Sequence, residues 1–117
     1  MIEDDELIQS TTNELLEISG HSVISALNGN EALEIIEKQA DAIDLILLDL
    51  SLPDMDGVEL IPTLAEKAPN AHIVISSGKI LDEELNSYLS RYQVKGVLQK
   101  PYDLLILKET IDKILQG

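Results

Sequence analysis

Three short, largely apolar runs constrain this chain most: Leu45-Ile46-Leu47-Leu48, Ile73-Val74-Ile75 and Val94 to Leu98, the last with Gly96 inside it. Each has the length of a strand rather than a helix, and stretches with helical spacing separate them. Continuous apolar runs of this kind belong to strands covered on both faces. Their alternation with helices is the pattern of a parallel sheet with helices on both sides. Ser22 to Ala26 alternates more weakly, as an edge strand does. The first strand is short of residues. Only Met1 and Ile2 precede the acidic run Glu3-Asp4-Asp5-Glu6, against about five residues in an average strand. We therefore expect residues 1–117 to form a single domain whose first strand begins upstream of residue 1.

Between the runs lie five amphipathic segments. Leu7, Thr11, Leu15 and Ile18 are expected on the inner side of the first helix, which Gly20 ends. Asn28 followed by Glu31 is a capping-box pattern, with Ala32, Ile35 and Ile36 facing inward. Val58, Ile61, Leu64 and Ala65 mark the third helix, where Pro62 should kink the helix or delay its start. Leu81, Leu85, Tyr88, Leu89 and Tyr92 mark the fourth. Leu104, Leu107, Ile111 and Ile114 mark the last, capped by Asp103.

Composition narrows the function. A net charge of −14, from 22 acidic against 8 basic residues, repels phosphate backbones and argues against direct nucleic-acid binding. No cysteine is present, so thiolate metal sites and disulfides are excluded. No run approaches the roughly 20 apolar residues of a membrane span, which points to a cytoplasmic protein away from membranes.

The polar residues choose their places. In an open parallel sheet, ligands sit beyond the carboxyl ends of the strands. Glu3 and Asp4 follow the first strand, Asp49 the third, Ser76 and Ser77 the fourth, and Lys100 the fifth. Three carboxylates gathered at one rim repel each other and call for a cation. Oxygen ligands without His or Cys select a hard ion, and Mg²⁺ suits a site that keeps several waters. A carboxylate beside Mg²⁺ is a competent nucleophile toward phosphorus. The Lys100 ammonium can neutralise a phosphoryl group, and a serine hydroxyl can hold one of its oxygens.

These residues resemble response-regulator receiver domains. The likeness rests on Glu3-Asp4-Asp5-Glu6-Leu7-Ile8, Leu47 to Gly57, Ile75-Ser76-Ser77-Gly78 and Gly96 to Tyr102, and runs from Ile2 to the last helix. It implies a doubly wound, flavodoxin-like α/β fold: a parallel five-stranded sheet of order 2-1-3-4-5 with five helices. It also implies that Asp49 is the phosphoacceptor, with Asp4 binding Mg²⁺ directly, Glu3 through water, and the Ser51 carbonyl as a further ligand. Lys100 then pairs with the phosphoryl group, and its bond to Pro101 is cis. Ser77, rather than Ser76, is the switch hydroxyl, because Gly78 suits the small residue after it. Ser51 and Lys79 stand where the family tunes phosphate lifetime. Val97 stands where the family often carries Tyr or Phe, so the usual aromatic relay is in doubt.

The function implied is that of a phosphoacceptor in a two-component or phosphorelay system. A partner histidine kinase or histidine phosphotransfer protein would supply the phosphoryl group. The chain would be a signalling module rather than an enzyme, and could form a homodimer through its fourth helix, fifth strand and last helix. Two other readings stand beside this one: a binding module that no longer uses phosphate, and a Mg²⁺-dependent phosphohydrolase. The latter lacks a second acid near the nucleophile, where Ser51 stands instead. His21 and His72 read as structural residues without partners, Tyr88 and Tyr92 as packing with a partner-binding face as the alternative for Tyr88, and Asp54-Met55 as loop filler.

Overall fold

In the computed structural model the described residues are all but 4, 51, 55, 78–82, 93, 100–102 and 117; at 84, 85, 88, 99 and 116 only the backbone is described. The three apolar runs form parallel strands: β1 (Leu45–Asp49), β2 (His72–Ser77) and β3 (Val94–Gln99), in the order β1-β2-β3. Leu45 pairs with His72 and Asp49 with Ser76, so these two strands end level with each other.

Residues 1–3 extend the sheet on the other side of β1. Ile2 bridges both Leu48 and Ala26 in parallel. Its N–H donates to Leu47 C=O at 2.8 Å, and its C=O accepts Asp49 N–H at 3.0 Å. Across the other edge, Ala26 N–H donates to Met1 C=O at 2.9 Å and Glu3 N–H to Ala26 C=O at 3.0 Å. The spatial order is therefore the expected 2-1-3-4-5, with the first two positions reduced to bridges. The expected edge strand at Ser22 to Ala26 contracts to its last residue, because the segment opposite offers so few residues to pair with.

Among the described residues five α-helices cover the sheet: α1 (Glu6–Ile18), α2 (Gly29–Gln39), α3 (Gly57–Lys67), α4 (Glu83–Arg91) and α5 (Leu104–Gln116). Strand alternation divides the core in two. Ile46, Leu48, Ile73 and Ile75 pack with Ala32 and Ile36 of α2, Leu60, Ile61 and Leu64 of α3, and Leu89 of α4. Leu47, Val74 and Leu98 face the other way, against Leu16 of α1 and Leu107 and Ile111 of α5. Each of the Leu, Ile and Val side chains among them contributes about 1.5–3 kcal/mol by leaving water. Tyr92 packs partly buried against the first cluster.

The inner face of α1 differs from the sequence expectation. Leu7 and Ile18 are exposed, at 76% and 78%, while Thr12 and Leu16 are buried. Apolar residues occur on two stripes of this helix, offset by one position, and packing against α5 and the sheet selects the Thr12–Leu16 stripe. The end of the helix is as expected. Gly20 takes φ +96, and His21 N–H donates to Leu16 C=O while Gly20 N–H donates to Glu17 C=O, each at 3.0 Å. That pairing is a Schellman cap, for which glycine suits the left-handed residue.

Asn28, Asp56 and Asp103 cap α2, α3 and α5 through their side chains. Pro62 lies within α3 without delaying its start, which Asp56 fixes at Gly57. His21 is not partnerless: its Nε2 lies 2.9 Å from Asp112 Oδ1, and Lys108 Nζ donates to Asp112 Oδ2 at 2.7 Å. This cluster ties the end of α1 to α5. None of the described helices is long and apolar enough to cross a membrane.

Candidate functional site

Asp49 is the last residue of β1 and is only 4% exposed. The strand holds it from both sides. Its N–H reaches Ile2 C=O at 3.0 Å, and its register partner is Ser76 on β2. One residue beyond Ile2 comes Glu3, 2% exposed, with Oε1 accepting Asp5 N–H at 3.2 Å. The backbone pairing thus brings Glu3 and Asp49, far apart in sequence, to the same end of adjacent strands.

Ser76 and Ser77 end β2 beside them, and both are buried. Among the described residues Ser76 Oγ has no hydrogen-bond partner. Two buried carboxylates and two buried hydroxyls therefore line one rim, at the end of the sheet that the topology predicts for a ligand. Buried carboxylates must be balanced by hydrogen bonds or by a cation. The described donors are all oxygen, which fits a hard divalent ion and not a soft one.

The remaining expected site residues, Asp4, Ser51 and Lys100, lie outside the described residues, as do Lys79 and the Lys100–Pro101 bond. Among the described residues no three His, Cys, Asp or Glu side chains gather as a metal centre. Asp4 directly follows Glu3, and Lys100 directly follows the end of β3. Val97 is 42% exposed on β3. Of the two tyrosines expected on α4, Tyr92 packs on the core and the Tyr88 side chain is outside the described residues.

Two residues around Asp49 carry more than the sequence suggested. Gly57 opens α3 against the chain leaving β1. A Cβ built on it would stand 2.6 Å from Asp49 O and 2.6 Å from Leu50 Cα. Gly57 N–H also donates to Leu50 C=O at 2.9 Å, and Leu50 N–H donates to Ser76 C=O at 3.2 Å. The second is Asp54, read above as loop filler, whose two carboxylate oxygens accept Gly29 N–H and Asn30 N–H at 2.9 Å each. A bond between residues 25 positions apart leaves no local signal. His21 and Asp112, 91 positions apart, were hidden for the same reason.

A doubly wound parallel α/β sheet with buried carboxylates and hydroxyls at its strand ends belongs to the class of domains whose ligands sit beyond the carboxyl ends of the strands. Comparison with known proteins sharpens this. The response regulator receiver domain family matches residues 1–112, and the chain belongs to that family. It is 31% identical over 116 residues to the sensor protein TorS of Escherichia coli (strain K12), covering 99% of this chain and 12% of that protein. It is 32% identical over 117 residues to the transcriptional regulatory protein CpxR of the same organism, covering 99% of this chain and 48% of that protein. A CheY-like receiver domain from Methanospirillum hungatei JF-1 superposes with a TM-score of 0.89 at 28% identity, covering 98% of this chain and 90% of that one. The chain thus spans half or less of either curated relative, and is similar in kind to receivers of both sensor kinases and response regulators. Its place is in two-component or phosphorelay signalling.

Proposed function

We propose that residues 1–117 act as one receiver unit in which Asp49 accepts a phosphoryl group from a partner phosphohistidine. The observation that carries this reading is the position of Asp49: buried at the end of β1, hydrogen-bonded to Ile2, with Glu3 next along. Asp4 and Asp49 would hold Mg²⁺ directly, Glu3 through water, and the Ser51 carbonyl would complete the protein ligands. Bound there, Mg²⁺ would neutralise charge on the transferring group. An Asp49 carboxylate oxygen forms a bond to phosphorus as the phosphorus–nitrogen bond breaks, and the electron pair stays on the imidazole. Lys100 balances the phosphoryl charge, and the Ser77 hydroxyl donates to one of its oxygens.

The donor would be a histidine kinase or a histidine phosphotransfer protein. Exposed Leu7, in the first turn of α1 and four residues after Glu3, offers an apolar contact for such a partner. Val97 of β3 and Leu105 and Ile106 of α5, also exposed, support a second face, with α4, for a homodimer. Phosphorylation would act by biasing a two-state equilibrium of that face, which makes the domain a cytoplasmic signalling module rather than an enzyme with its own substrate.

The test is labelling by acetyl phosphate with MgCl₂, read by intact mass. Wild type should gain one phosphoryl group, and lose that gain with EDTA. Asp49→Asn should gain none. Equal labelling of Asp49→Asn and wild type would overturn the assignment.

A further inference from the structure

The first turn of α2 carries more caps than its own sequence supplies. Asn28, its N-cap residue, accepts Glu31 N–H at 2.8 Å. The N–H groups of Gly29 and Asn30 are taken instead by Asp54, one by each carboxylate oxygen, at 2.9 Å. A helix start leaves four N–H groups without partners inside the helix, and three of them are met here. The Asp54 carboxyl is held below its ordinary range, first by the Gly29 N–H bond.

Asp54 belongs to neither α2 nor its approach. It lies in the loop that leaves Asp49 and runs to Asp56, the cap of α3. The start of that loop is tied at Leu50, to Ser76 C=O and Gly57 N–H. Leu52 packs partly buried on the core shared by α2 and α3. The two bonds from Asp54 then pin the far side of the loop to α2. A fork of two bonds fixes orientation as well as distance.

We propose that Asp54 is a positioning residue for the cation: its carboxylate clamps the loop after Asp49 onto α2 and so fixes the rim at which Mg²⁺ binds. This rests on the metal reading above, with Asp49 and Ser51 flanking the start of the clamped loop. Residues that orient metal ligands from outside cost about 10- to 100-fold in metal affinity when removed. Among the described residues the Asp54 carboxylate bonds the backbone of α2 and not a metal ligand, so its removal should fall at the lower end, about 10-fold.

The experiment is calorimetric titration of MgCl₂ into wild type, Asp54→Ala, Asp54→Asn and Asn28→Ala. Asp54→Ala should bind Mg²⁺ about 10-fold more weakly, and Asp54→Asn, which keeps one oxygen acceptor, should fall between it and wild type. Asn28→Ala removes a cap from the same helix without touching the loop, and should keep wild-type affinity. Should Asp54→Ala fail to fold, Asp54→Asn decides alone by the same comparison. Wild-type affinity in the Asp54 variants, or an equal loss in Asn28→Ala, overturns the clamp and leaves the metal reading standing. Absence of any Mg²⁺ binding by wild type overturns both.

Discussion

Gly57→Ala is the substitution whose effect the structure fixes most closely. The new Cβ would stand 2.6 Å from Asp49 O and 2.6 Å from Leu50 Cα, with Leu50 C at 3.0 Å. Carbon contacts settle near 3.5–4.0 Å, so a shift of roughly 1 Å is needed. All three atoms are backbone and cannot swing away. They are also anchored, because Leu50 N–H bonds Ser76 and Leu50 C=O bonds Gly57. Overpacking of this kind costs about 1–3 kcal/mol. Alanine's better helix propensity returns at most about 1 kcal/mol. Contacts of 2.6 Å to anchored backbone atoms place the cost in the upper part of that range, about 2–3 kcal/mol, so the net loss should be about 1–2 kcal/mol. Unfolding entropy for a chain of this size gives roughly 4 °C of Tm per kcal/mol, so Tm should fall by about 4–8 °C. Urea denaturation followed by circular dichroism measures the stability, and acetyl phosphate labelling of the same samples should slow because Asp49 moves with its peptide. A Gly57→Ala protein as stable as wild type would refute the argument from close approach.

The same change elsewhere should have the opposite sign. A Cβ on Gly96 meets only ordinary contacts, Thr110 Cγ2 at 3.8 Å and Val74 Cγ1 at 3.9 Å, so Gly96→Ala should stabilise by about 0.4–1 kcal/mol; a loss in the urea midpoint would contradict this. Leu107 is fully buried between α5 and the sheet, and Leu107→Ala should cost about 2–5 kcal/mol by chemical denaturation; a cost under about 1 kcal/mol would mean that α5 is loosely docked. The Asp112 carboxyl is held below its ordinary value, chiefly by its hydrogen bond from Lys108 and then by His21. A depressed carboxyl pKa adds stability above the unfolded value, about 3.9, that disappears as pH falls through the lower folded value. Asp112→Asn should therefore flatten the decline of Tm with acid below about pH 4; superimposable acid limbs would remove the cluster from the account.

The strands were legible because a strand covered on both faces leaves an unbroken apolar run, as β1 and β2 do; β3, interrupted by Lys95 and Gly96 and half-exposed at Val97, was marked by its apolar ends and flanks. Their ends were legible too, since a polar residue after such a run has only the rim to occupy; Asp49 and Ser77 are there. The face of α1 was not. Leu7, Leu15 and Ile18 form as regular a stripe as the true one, and only the packed sheet distinguishes them by burying Thr12. Ser22 to Ala26 alternates like a strand, yet a ladder needs a partner of equal length, and Met1 to Glu3 gives only a bridge. For Pro62 the local rule left a kink or a delayed start open, and the start is not delayed: the Asp56 cap and the burial of Leu60, Ile61 and Leu64 set where α3 begins. Asp54 was invisible because its partners lie on another helix.

The central assertion is that strand ends from across the chain build one cation-holding pocket around Asp49. Its most direct test is a crystal structure with MgCl₂ and beryllofluoride. We expect one Mg²⁺ about 2.0–2.1 Å from carboxylate oxygens of Asp4 and Asp49, with the fluoride on Asp49 facing Lys100 and Ser77. A metal bound elsewhere, or Asp4 and Lys100 turned away from Asp49, would contradict it.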